Sequence, residues 1–173
     1  PVYLSITDGE AELRDASHVW GMNTFDTCRI LKKEVGGKNV SVACIGPAGE
    51  NLVYFAPVIN DEHRAGGRGG LGAVMGSKKL KAIVVSGTQK PQAANPEKLK
   101  EVGKKLLEKI KTNPVTSESL PKLGTAVLVK VINEAGILPY KNWQTGVNPE
   151  AEKISGELLA EKYLIKRRPC WGC

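Results

Sequence analysis

The chain has 173 residues, 41% of them hydrophobic, and a formal net charge of +7 at pH 7. This apolar fraction allows a packed core and argues against disorder, while the lack of a long apolar run and of a signal peptide predicts a cytoplasmic protein without membrane spans. The positive charge suggests an anionic partner, but much of the excess lies in lysines of one amphipathic segment, so nucleic-acid binding is not expected.

The first half of the chain is predicted to be β-rich with short helices. Residues 2–7 and 11–13 flank Asp8-Gly9, which is the pattern of a β-hairpin. A helix is expected over residues 28–35, ended by Gly36-Gly37. Further strands are predicted at residues 39–45, 52–59 and 81–86, with a turn at residues 46–49 and a short helical turn near residues 71–78.

The second half is predicted to be helical. Composition changes near residue 90, which indicates a domain boundary and divides the chain into residues 1–90 and 91–173. Asn95 and Pro96 begin a long amphipathic helix, since apolar residues then recur at spacings of three and four. Further helices are expected over residues 125–134 and 156–163. The predicted fold class is therefore α+β.

Residues 64–78, named here the arginine-glycine loop, contain six glycines and three cationic side chains, Arg64, Arg68 and Lys78. Glycine lets backbone N–H groups approach a ligand closely, and the guanidinium group suits phosphate. A tight turn between strands would explain only two of the glycines. A literal match to the dinucleotide-binding pattern is also present, but no long helix and no acidic residue follow it as that site requires. The loop is thus predicted to bind an anion or a cofactor.

The chain ends on a second candidate site, the pair Cys170 and Cys173. Two thiols at this spacing can hold one zinc ion or one iron–sulfur cluster, and the spacing alone does not separate these metals. Because such sites take four ligands, the others are expected beyond residue 173 or from another chain, which indicates an internal fragment of a longer protein. Cys28 and Cys44 lie in apolar contexts and are predicted to be buried packing residues. His18 and His63 are predicted to be structural.

Three strings resemble the aldehyde ferredoxin oxidoreductase family of tungsten- or molybdenum-pterin, iron–sulfur enzymes. They are IGPAGEN at residues 45–51, the arginine-glycine loop itself, and LKAIV at residues 80–84. The resemblance extends through all 173 residues and includes the terminal cysteine pair.

This resemblance implies a β-rich base domain that carries a bis-pterin metal cofactor, of which residues 1–90 are the C-terminal part, followed by the beginning of a helical domain. It implies that Arg64, Ala65, Gly67 and Arg68 contact the pterin and that Cys170 and Cys173 ligate a [4Fe-4S] cluster. The implied reaction oxidises an aldehyde to a carboxylic acid and passes electrons to ferredoxin. The resemblance also allows for a homodimer. No catalytic acid–base residue is expected within this fragment, which alone should be inactive.

Two alternatives remain open from the sequence. One is a subunit of a related tungsten-dependent complex that reduces an acyl or aromatic thioester. The other is a non-catalytic phosphate- or nucleic-acid-binding module that uses the basic loop and holds zinc at the two cysteines.

Overall fold

The computed structural model describes residues 1–37, 39–90 and 92–167. Contacts divide the chain into two compact units, Pro1–Pro91 and Gln92–Cys173. The first unit contains strands and helices and the second is helical in its described part, so the predicted α+β class is confirmed. Among the described residues, no helix combines the length and apolar character needed to cross a membrane.

Six strands of the described chain form one mixed sheet in the first unit. They are β1 (Val2–Thr7), β2 (Glu10–Asp15), β3 (Val40–Cys44), β4 (Val58–Asn60), β5 (Arg64–Gly66) and β6 (Leu80–Ser86). Their order across the sheet is β2-β1-β6-β3-β4-β5. The β1 and β6 strands are parallel, whereas all other neighbours are antiparallel. This order leaves β5, the strand that begins with Arg64, at one edge.

The described part of the same unit contains three α-helices, α1 (Thr24–Val35), α2 (Pro47–Glu50) and α3 (Leu71–Ser77), and a 3₁₀ turn, Ser17–Val19. The α1 helix begins four residues earlier than predicted because the Asn23 side chain caps it by accepting a hydrogen bond from Asp26 N. Its buried residues Cys28 and Leu31 pack on the sheet in the core of the unit. That core comprises Tyr3, Ala16, Val19, Cys28, Leu31, Val42, Cys44, Ala82 and Val84.

The predicted strand over residues 52–59 is wrong for most of its length, since β4 begins only at Val58. Leu52 has a φ of +59°, and its N–H group bonds to Gly49 O, while Val53 N bonds to Ala48 O. These bonds satisfy carbonyl groups of α2 and form a turn. The N–H groups of Leu52 and Val53 are therefore already used and are not available to pair with a neighbouring strand. The predicted turn at residues 46–49 is likewise the one-turn helix α2, with Pro47 at its first position.

The second unit begins with the long helix α4 (Pro96–Thr112), capped as predicted by Asn95, whose side chain accepts from Lys98 N at 2.9 Å. Its other helices are α5 (Leu120–Leu123), α6 (Leu128–Glu134) and α7 (Gly156–Lys162). A π-helical turn, Val115–Ser119, and two 3₁₀ turns, Gly124–Val127 and Ala151–Ile154, lie between them. No element was predicted over residues 115–123, because Pro114 was expected to end the long helix and the next helix was expected only from residue 125.

Candidate functional site

The four residues predicted to contact a cofactor lie together on the exposed edge of the first unit. Arg64 and Ala65 are in β5, where they pair with Asn60 and Ile59 of β4. Gly67 and Arg68 follow in the turn that leads to α3, and all four residues are exposed. The structure therefore places two arginines and an exposed glycine-containing segment at one edge of the unit, as an anion site requires.

Most glycines of the arginine-glycine loop have a reason within the fold. A Cβ atom at Gly70 would lie 2.6 Å from Tyr54 O, and one at Gly72 would lie 2.6 Å from Ala56 O. Gly76 would overlap the backbone of Gly49, and Gly69 has a φ of +81°. Close packing and a left-handed turn thus account for these four, so the number of glycines is weaker evidence for a ligand than the sequence indicates.

Gly67 is different. A Cβ atom there would meet no heavy atom within 4 Å, and its φ is outside the left-handed region. It is exposed and directly precedes Arg68. Neither packing nor backbone conformation requires glycine at this position, whereas close approach of a ligand to the backbone would.

An exposed apolar surface adjoins the loop. Tyr54 is 90% exposed and Phe55 is 81% exposed, and Leu52, Leu71 and Val74 are each about half exposed. The chain at Tyr54 touches the loop, since Tyr54 O is the atom that a Cβ at Gly70 would meet first. Exposed aromatic rings suit the planar ring of a ligand whose anionic group is bound by arginine.

A buried ion pair links the elements that pack against the loop. Lys81 of β6 is fully buried, and its ammonium group pairs with Glu50 of α2 and donates to Met22 O at 2.9 Å. The two Glu50 oxygens also accept from Gly21 N at 3.0 and 2.9 Å. The pair therefore joins α2, β6 and the turn before α1. The ion pair also restrains α3, the helix that follows the loop, because α2 packs on α3 through Gly49 and Gly76.

This ion pair was not predicted from the sequence. A signal was present, since Lys81 is the one charge in the apolar run of residues 80–85, and a charge in such a run is buried only with a partner. The partner is 31 residues away, and nothing in the spacing identifies it.

No described residues form a group of three or more His, Cys, Asp or Glu that could hold a metal ion. The predicted cluster ligands Cys170 and Cys173 lie outside the described residues. Cys28 and Cys44 are buried as predicted. Burial raises the pKa of both thiols, that of Cys44 to about 12, so both are protonated at neutral pH, as packing residues are.

The two histidines have protein neighbours. His18 Nε2 lies 3.0 Å from Glu34 Oε2, and the other oxygen of Glu34 accepts from the buried Tyr3 hydroxyl at 2.8 Å. The ring of His63 lies 6.4 Å from that of Phe25, and its Nε2 is 3.8 Å from Glu62. These contacts fit the structural roles predicted for both.

Comparisons with known proteins agree with the resemblance read from the sequence. Residues 1–87 match the model of the aldehyde ferredoxin oxidoreductase N-terminal domain, and residues 101–173 match that of domains 2 and 3 of the same family. The whole chain is 53% identical to the tungsten-containing aldehyde ferredoxin oxidoreductase of Pyrococcus furiosus, of which it covers 29%. It is 56% identical over its full length to the Pyrococcus abyssi protein of that name and covers 28% of it.

The chain is also similar, at lower identity, to proteins that are named for other reactions. The chain is 33% identical over 181 aligned residues to a P. furiosus aliphatic sulfonate oxidoreductase, WOR-like subunit, with 96% of this chain and 28% of that protein covered. The active site complex BamBC of benzoyl coenzyme A reductase, solved with 1,5-dienoyl-CoA, superposes with a TM-score of 0.74 at 32% identity, covering 99% of this chain and 28% of that one. The chain spans less than a third of each of these relatives. On these matches, the chain belongs to the aldehyde ferredoxin oxidoreductase family.

Proposed function

We propose that this chain is the part of an aldehyde-oxidising enzyme in which the arginine-glycine loop binds one side of a tungsten (or molybdenum) bis-pterin cofactor. The observation that carries this proposal is Gly67, an exposed glycine beside Arg68 for which the fold gives no other reason. The P. furiosus and P. abyssi relatives, which are named as tungsten-containing, support the choice of metal.

Each loop residue has a distinct part in holding the cofactor. Arg64 and Arg68 would bind phosphate oxygens with their planar donor groups. Gly67 would let its backbone approach the cofactor closely, and Ala65 would present a small side chain on the edge strand. When bound, the metal centre supplies the two-electron acceptor for oxidation of an aldehyde to a carboxylic acid.

The remaining roles follow the family. Residues 1–90 would be the C-terminal part of the pterin-binding base domain, and residues 91–173 the beginning of the helical domain. Cys170 and Cys173 would supply two thiolates to a [4Fe-4S] cluster, which passes electrons one at a time to ferredoxin. The names of the relatives support ferredoxin as the electron acceptor.

Replacing Arg68 by Ala in the full-length protein tests the loop. A charge-assisted hydrogen bond contributes roughly 1.5–3 kcal/mol, so we expect the dissociation constant of the cofactor to rise about tenfold or more and the tungsten and pterin content to fall, with a smaller change in Arg68→Lys. The metal content is measured by mass spectrometry of the purified protein, and the pterin by fluorescence after oxidation.

Lys33→Ala provides the matched control, since Lys33 is an exposed cation in the last turn of α1, outside the arginine-glycine loop. It should keep full cofactor content, and neither variant should change the thermal unfolding of cofactor-free protein. Full tungsten content in Arg68→Ala would contradict the role of the loop.

A thioester reductase subunit is the second candidate, favoured by the similarity to the BamBC complex. The aldehyde-oxidising relatives are more similar in sequence, at 53–56% against 32% identity. Turnover of simple aldehydes by the full-length protein with a viologen acceptor would support the first candidate. Reduction of an aromatic coenzyme A thioester without aldehyde oxidation would support the second. Family membership argues against the non-catalytic nucleic-acid-binding alternative.

A further inference from the structure

The turn between β4 and β5 has an unusual backbone. Asp61 and Glu62 are consecutive non-glycine residues with positive φ angles, +45° and +70°. Such conformations are uncommon for residues with a Cβ atom and persist where surrounding structure enforces them. The first residue of β5, Arg64, lies two positions after Glu62.

Asp61 is held by both its side chain and its main chain. Its Oδ1 atom accepts from Lys32 Nζ of α1 at 2.7 Å and from Val42 N of β3 at 3.1 Å. Its own N–H group donates to Val42 O at 2.9 Å. We name this arrangement the Lys32–Asp61–Val42 anchor. It joins the turn to a helix and a strand of the core layer, beyond the β4–β5 pairing itself.

The charges of the anchor suit this role. Burial alone would raise the pKa of the Asp61 carboxyl, but hydrogen bonds from Lys32, Val42 N and the Ser41 side chain outweigh it and lower that pKa. The hydrogen bond to Asp61 raises the pKa of Lys32. Both partners are therefore charged at neutral pH, and the bond between them is charge-assisted.

The pairing that places β5 in the sheet is short. The β5 strand has three residues, lies at the edge, and pairs with β4, itself only three residues long, in three residue pairs. Short edge pairings of this kind do not hold a strand rigidly. The attachment of the preceding turn therefore contributes to the position of Arg64.

We propose that the Lys32–Asp61–Val42 anchor positions Arg64 for contact with the cofactor, so that Asp61 is a positioning residue for cofactor binding. This inference rests on the proposed function. Asp61 acts through the hairpin and not by touching the cofactor.

Three substitutions in the full-length protein remove different parts of the anchor. Asp61→Gly tolerates the positive φ but removes the carboxylate, whereas Asp61→Asn keeps an acceptor for Val42 N and removes the charge. Lys32→Met removes the other charged partner. We expect tungsten and pterin content to fall about tenfold in Asp61→Gly and by a smaller factor in Asp61→Asn and Lys32→Met. Lys32→Arg keeps the charge and should have a higher tungsten and pterin content than Lys32→Met.

The chain offers a matched control in Asp8. It also has a positive φ, +47°, and its carboxylate also holds a turn, accepting from Thr88 N at 2.7 Å and Thr88 Oγ1 at 3.1 Å. It lies in the β1–β2 connection, away from β5. Asp8→Gly should leave cofactor content unchanged, although it removes the same kind of anchor.

A double-mutant cycle separates positioning from general stability. If Asp61 acts through Arg64, then Asp61→Gly combined with Arg64→Ala should lose no more tungsten than Arg64→Ala alone. Losses that multiply, or an equal loss in Asp8→Gly, would overturn the proposal. Should Asp61→Gly fail to fold, the same cycle is run with Lys32→Met.

The outcome for the proposed function is distinct. If Arg64→Ala and Arg68→Ala lower tungsten content while the anchor variants do not, the anchor proposal fails and the proposed function stands. If the arginine variants keep their cofactor, both fail.

Discussion

At the scale of single residues, the arginine-glycine loop contains glycines of two kinds. Gly72 is buried, and a Cβ atom there would lie 2.6 Å from Ala56 O and 2.7 Å from Pro57 O. Gly67 is exposed, and a Cβ atom there would meet nothing within 4 Å. The fold requires glycine at position 72, whereas the backbone at Gly67 is accessible to a ligand.

Substitution by Ala should separate these two roles. Gly72→Ala overpacks the backbone contact and should lower the free energy of unfolding by about 1–3 kcal/mol. Gly67→Ala should leave the free energy of unfolding unchanged or slightly raised, because Ala lowers the conformational entropy of the unfolded chain. It should nevertheless reduce tungsten and pterin content, because its methyl group stands where the cofactor would approach.

Urea unfolding of cofactor-free protein and metal analysis of the purified full-length protein are the two measurements. A Gly67→Ala variant with full cofactor content would argue that the glycine at this position has no binding role.

At the scale of secondary-structure elements, local patterns predicted the elements whose signals are contained within a few residues. The hairpin around Asp8-Gly9, the cap at Asn95 and the apolar strand at residues 80–86 are of this kind. The pattern failed at residues 52–57, where apolar residues suggest a strand but Tyr54 and Phe55 are exposed on a turn. A surface that is apolar for binding has the composition of a core strand, so sequence alone does not distinguish them.

The candidate site divides in the same way. The sequence indicated Arg64 and Arg68 because glycine and arginine are chemically distinctive within one short loop. The residues that hold this loop, Lys81, Glu50 and Asp61, were not predicted, since their partners lie far away along the chain. Lys81 is 31 residues from Glu50, and Asp61 is 19 residues from Val42. Contacts at such separations depend on the sheet order, which one sequence does not reveal.

The Lys81–Glu50 pair should be essential to how α2, β6 and the turn before α1 assemble. Lys81→Met leaves the Glu50 carboxylate buried without its cation, and breaking a buried pair in this way costs about 3–5 kcal/mol. The double variant Lys81→Met with Glu50→Gln should be less destabilised than Lys81→Met alone, because the introduced amide carries no charge and can still accept from Gly21 N.

Urea unfolding of the cofactor-free protein measures both. Lys105→Met serves as the control, because Lys105 pairs with Glu101 on the exposed face of α4 and should show no measurable change. A Lys81→Met variant as stable as the Lys105→Met control would show that water reaches the pair.

At the scale of the whole molecule, the two units differ in how they are stabilised. The core cluster of fully buried apolar residues lies in the first unit, with Tyr3, Leu31 and Val84 among its members. In the second unit, α4 has no buried residue, and its apolar face is substantially exposed, with Leu99 63% and Val102 52% accessible. Helical stability comes mainly from packing of an apolar face, so a helix of this kind is marginal in the chain alone.

Hydrogen exchange of the 173-residue chain should report this difference. Amide protons of β1, β3 and β6 should exchange slowly, because their opening requires the core of the first unit to unfold. Those of α4 should exchange faster by at least about tenfold, since local opening breaks few packing contacts. Exchange is measured by mass spectrometry on peptides that cover residues 80–86 and 96–112. Equal protection of α4 and β6 would mean that the apolar face of α4 is covered in solution, and a second copy of the chain would then be sought by sedimentation.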